Sequence, residues 1–120
     1  MELAANVVVG AIALLHLYIL VLEMFLWERA KKAFRLDGAD ADNPRFRTML
    51  INQGIYNGFL AAGLAWGLLH PDPTLGWQIQ LFFVSCVGVA GVVGAVTAKK
   101  EILFIQTVPS AIALVLLLLR

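Results

Sequence analysis

Four long apolar runs, at approximately 3–27, 48–69, 77–98 and 102–119, occupy most of this 120-residue chain. Each is close to the roughly 20 residues that a helix needs to cross the hydrocarbon of a bilayer. The runs are apolar around their whole circumference, lack period-two alternation and are too long for strands. Within lipid the chain must satisfy its own backbone amides, which leaves helices as the solution. The expected fold is therefore all-α: one domain over 1–120, an integral membrane antiparallel four-helix bundle with short connections. Only 14% of the residues are charged and 61% are hydrophobic, against about 25% charged in soluble domains. With a net charge of +1, this balance excludes a nucleic-acid binder, a disordered chain and an ordinary cytosolic enzyme.

Charge placement orients the runs. The connection at 28–47 carries Arg29, Lys31, Lys32, Arg35, Arg45 and Arg47, and the one at 99–101 carries Lys99 and Lys100. Connections one and three lie on the same side and hold eight of the nine Lys/Arg. The positive-inside rule makes that side cytoplasmic, so both termini face outward, and the expected location is an inner (plasma) membrane. The basic connection is expected to set this topology and to touch anionic lipid. His70-Pro71-Asp72-Pro73 is a tight, solvated outer turn, since proline stops a helix. Trp27 and Trp77 mark span ends. The first run begins with Glu2, not a basic segment, and has no clear cleavage site, so it reads as a retained span.

Ionisable groups in hydrocarbon cost about 2.5–3.5 kcal/mol even on insertion scales, so each asks for a function. His16 and Glu23 are seven residues apart and share one face of the first helix. Counted from the cytoplasmic end, Glu23 lies about 6 Å deep and His16 about 16 Å. The second run brings Asn52 and Gln53 to about 6–8 Å and Asn57 to about 14 Å, with Tyr56 between them. In the fourth, Gln106 lies about 6 Å deep, with Pro109 and Ser110 just beyond. The expected site is a cavity open to the cytoplasmic leaflet, with Glu23 as its charged or proton-carrying centre. His16 is its partner, and Asn52, Gln53, Tyr56, Asn57 and Gln106 bind the ligand.

Simpler roles compete with this. Buried amides and hydroxyls, including Gln78, Gln106 and Ser110, serve as interhelical hydrogen bonds. Glu23 can snorkel toward Arg29 or Arg47, His16 can be a satisfied structural residue, and Tyr18 can pack between helices. Cys86 reads as a small packing residue. Asp37, Asp40 and Asp42 lack the glycine and glutamate of a calcium loop, and one His with one Glu falls short of a zinc site. No metal site is expected, and no cofactor is legible.

The sequences His16-Leu17-Tyr18, Glu23-Met24 and Trp27, with the run Asn52-Gln53-Gly54-Ile55-Tyr56-Asn57-Gly58-Phe59, carry a resemblance. They resemble the first- and second-span signatures of a family of small four-span bacterial and fungal membrane proteins of unknown function. The likeness covers nearly the whole chain. It implies that the His, Glu and Asn positions matter to that family, some of whose members carry the label epimerase. The organisation is also similar, more loosely, to DoxX-like four-helix proteins. Three functions stand side by side: a site binding or converting a small lipophilic molecule by proton transfer, a proton-coupled exporter working as a homodimer, and an accessory membrane subunit. For the homodimer, the small residues Gly88, Gly91 and Ala95 are the candidate seat.

Overall fold

The structure, a computed structural model, describes residues 2–33, 43–97 and 103–120. Five α-helices make up nearly all of it: α1 (Glu2–Phe25), α2 (Trp27–Ala33), α3 (Pro44–Leu69), α4 (Pro73–Thr97) and α5 (Val108–Leu118). A π-helical turn, Leu103–Thr107, leads into α5, and no strand occurs among the described residues. Arg35, Asp37, Asp40, Asp42, Lys99, Lys100 and Glu101 lie outside the described residues.

Local chemistry moves several expected boundaries. Residues 28–47 are not all connection, because α2 takes up 27–33. Helical hydrogen bonding runs through Leu26, whose N–H donates to Leu22 O at 3.3 Å and whose carbonyl accepts from Ala30 N–H at 2.8 Å. Helix α3 starts at Pro44, four residues before the expected 48. A proline suits the first helical position, where its missing N–H is not needed, and Asn43 Oδ1 accepts the Arg45 N–H at 2.9 Å. Helix α4 starts at Pro73 for the same reason. Asp72, expected only as a solvated turn residue, caps it by accepting from the N–H groups of Thr74 (2.9 Å) and Leu75 (3.3 Å). The fourth run is not one α-helix. Pro109 crowds the carbonyl four residues back, and a wider π turn at 103–107 relieves that conflict.

Two compact units are present: Met1–Leu14 with Leu60–Arg120, and Leu15–Phe59, their limits falling inside α1 and α3. In the first unit α1, α3, α4 and α5 all contribute to one apolar core: Ala5, Val9, Ile12, Leu64, Val84, Val87, Ala113 and Leu117. Glycines allow the helices to approach. A Cβ on Gly76 would meet the Gly67 carbonyl oxygen at 2.7 Å, and one on Gly88 would meet Ser110 Oγ at 3.0 Å. Trp77 Nε1–H donates to Leu117 O at 2.8 Å, tying the start of α4 to the end of α5.

Helices α1 and α4 are long and apolar enough to cross a membrane, and Phe104–Leu118 is a shorter apolar stretch. Within the chain, 28% of the most apolar stretch of α1 and 22% of that of α4 is buried. Leu3, Leu14, Phe25, Phe82 and Val96 are each more than 60% exposed.

Candidate functional site

The second unit builds its polar centre from a glycine-lined contact between α1 and α3. A Cβ on Gly54 would stand 2.5 Å from Met24 Cγ and 3.3 Å from Glu23 Cβ. One on Gly58 would stand 2.5 Å from Leu20 Cδ1. Absence of these side chains lets the backbone of α3 lie close against α1. Asn57, three residues after Gly54, then reaches the acid: its Nδ2 donates to Glu23 Oε1 at 2.6 Å and to Gln53 O at 3.1 Å. The first of these is short for an N–H···O bond. Glu23 is 4% exposed, so its carboxyl group is held by protein and not by water. No ion pair joins it to Arg29 or Arg47 among the described residues, so it does not snorkel to them.

The other expected site residues fall into three settings. His16 is fully buried, two turns from Glu23 on the same stripe of α1. Asn52, Gln53 and Tyr56 are exposed on α3, and Tyr56 meets Phe59 edge-on at 6.1 Å. Of these three, Gln53 touches the acid–amide pair through its backbone carbonyl alone. Gln106 belongs to the first unit, in the π turn, where its Cβ would lie 3.0 Å from a Cβ on Gly91. Depth counted from span ends matched Glu23 with Asn52 and Gln53; the direct partner is Asn57. The glycine contacts set that register.

Several polar roles differ from expectation. Ser110 is buried, but its hydroxyl donates to Thr107 O at 2.8 Å within its own segment. Gln78 is exposed, whereas Gln80, not singled out from the sequence, is buried and donates from Nε2 to Gly67 O at 3.2 Å. The signal existed: Gln80 lies on the stripe of Gly76, Val84, Val87 and Gly91. Tyr18 is 53% exposed and does not pack between helices. Cys86 is half-buried, and no cluster of metal-ligating side chains occurs among the described residues.

Chemically, the pair is a carboxyl group gripped on one oxygen by an amide that is itself only half-buried. Beside it, Asn52, Gln53 and Tyr56 offer hydrogen-bonding groups on the exposed side of α3. The protein is thus a small all-helical chain with strongly apolar helices and a buried acid held by the amide of a second helix. It belongs to the family described as "Protein of unknown function (DUF1304)", which matches residues 10–118. It is similar to "Uncharacterized protein YpaA" of Lactococcus lactis subsp. lactis (strain IL1403), with 27% identity over 106 residues that cover 87% of each chain. No solved structure matches it.

Proposed function

We propose that this is a small integral membrane protein in which Glu23 and Asn57 form an intramembrane site for a small lipophilic molecule, converted there by proton transfer. The observation that carries the reading is the 2.6 Å bond from Asn57 Nδ2 to Glu23 Oε1, made by a carboxyl group that is 4% exposed on a strongly apolar helix. A buried acid is costly, and a fixed amide orients it. The half-buried Asn57 and the exposed amides of α3 give a polar route by which a lipid-soluble molecule with a hydrogen-bonding head reaches the acid from the side.

In this reading four spans form the antiparallel bundle, with both termini outside and 28–47 and 99–101 cytoplasmic. The exposed apolar surfaces of α1 and α4 support lipid contact, since soluble monomers rarely expose large apolar patches. The reaction is an isomerisation or epimerisation. The carboxylate takes a proton from one carbon of the substrate and a proton is returned at another position or face, with no net oxidation. His16, about 10 Å further along α1, is the second acid–base group. The exporter reading has less support, because Gly88 and Gly91, its candidate dimer seat, face Ser110 and Thr107 of the same chain.

The test compares the wild type with Glu23→Gln, each purified in mild detergent and extracted for mass spectrometry. A lipophilic compound is expected with the wild type and depleted from the variant. Incubation in D2O should place deuterium on a carbon of that compound only with the wild type. Identical extracts, with no deuterium in either, overturn the reading. Uptake of tetraphenylphosphonium into proteoliposomes against a pH gradient, lost in Glu23→Gln, would instead establish the exporter.

A further inference from the structure

Where α1 gives way to α2, the Trp27 indole gathers cations from two elements. Lys31 Nζ, one turn further along α2, lies 5.7 Å from the ring centroid. The guanidinium carbon of Arg47, from the first turn of α3, lies 5.9 Å from it. Both are within the reach of cation–π attraction. Lys31 is also paired with Glu28 at 3.1 Å, whereas Arg47 has no acidic partner among the described residues. The Trp27 indole N–H donates to no protein atom among the described residues, in contrast to that of Trp77, which is committed to Leu117 O. Arg47 is therefore the ring's cation that lacks a carboxylate among the described residues, and an anion beside the ring would supply its counter-charge. The corner thus brings a planar guanidinium and a point charge to one indole, cations of the kind that phosphate oxygens take.

We propose that Trp27, Lys31 and Arg47 form a binding site for the phosphate of an anionic phospholipid. The inference rests on the membrane reading above. Trp27 directly follows the apolar length of α1, at the level where indole rings and lipid headgroups meet. A lipid phosphate is therefore the source favoured over a free anion. Arg29, Lys32 and Arg45 are also exposed in α2 and the first turn of α3; among the described residues the cations over the ring are Lys31 and Arg47, and these three add a general attraction.

The experiment titrates the detergent-solubilised full chain with dioleoyl phosphatidic acid, dioleoyl phosphatidylcholine and inorganic phosphate, and counts bound lipid by native mass spectrometry. Phosphatidic acid should bind at least about tenfold more tightly than phosphatidylcholine, and an equal concentration of inorganic phosphate should leave it bound. Arg47→Gln and Trp27→Leu should each weaken it about tenfold, and Arg45→Gln, an equal loss of charge away from the ring, by less than about twofold. Equal losses in Arg45→Gln and Arg47→Gln with none in Trp27→Leu overturn the site in favour of a diffuse basic surface. Displacement by inorganic phosphate overturns the choice of lipid. Lipid-free unfolding is measured for every variant, and one that does not fold is replaced by Trp27→Phe or Arg47→Lys. For these the expected loss is about threefold, and no loss overturns the site. Release of the protein from membranes by alkaline carbonate would overturn the membrane reading instead.

Discussion

Glu23 owes its position to Asn57, and the two make unequal demands on the fold. Removing the amide with Asn57→Ala leaves a buried carboxyl oxygen without its donor, a loss of about 1–3 kcal/mol. Glu23→Gln keeps the shape and an acceptor oxygen, so its cost should be smaller, below about 1 kcal/mol. Unfolding in micelles reads both, and the reverse order would mean that the pair does not hold the helices. The acid itself was legible in the sequence, because an ionisable side chain in an apolar run stands out against its cost. Asn57 was legible as a site residue, but its direct pairing with the acid was not. Counting from run ends assumes that both helices start level, yet α3 begins at Pro44 and Gly54 sits opposite Glu23. Hydropathy carries no information about that offset.

Glycines and caps decide how the helices end and meet. Gly76→Ala would push a Cβ to 2.7 Å from the Gly67 carbonyl oxygen, a backbone atom with no rotamer to change. It should cost about 1–3 kcal/mol. Gly10 lies in the interior of α1 with nothing within 4 Å of an added Cβ. There Gly10→Ala should stabilise, by up to about 1 kcal/mol, through helix propensity alone. The two variants differ in sign, and unfolding midpoints in a common detergent check it; matching signs would mean that the Gly67–Gly76 approach is not tight. Asp72→Ala should cost about 0.5–2 kcal/mol by removing the cap of α4, read in the same way. The prolines and the Asn43 and Asp72 caps were visible signals that pointed to earlier helix starts. The long apolar runs had drawn the boundaries to where hydropathy rises, which is later than where backbone hydrogen bonding begins.

The proposed topology predicts sidedness for the whole chain. In a Cys86→Ser background, Asn43→Cys should react with an impermeant maleimide only after cells are opened. Thr74→Cys should react in intact cells. Labelling of both from one side would remove the orientation and with it the entry of a ligand from the cytoplasmic leaflet. An all-helical chain with helices able to cross a membrane followed from composition and run length, because the cost of placing a backbone or a charge in hydrocarbon acts on each residue regardless of its neighbours. The identity of the amide that meets Glu23, the packing of Gly88 and Gly91 against their own chain, and the gathering of Lys31 and Arg47 on one indole came from packing. Those depend on the rotation and register of one helix against another. Contacts between side chains a few ångströms apart set them, and no periodicity within a single run encodes them.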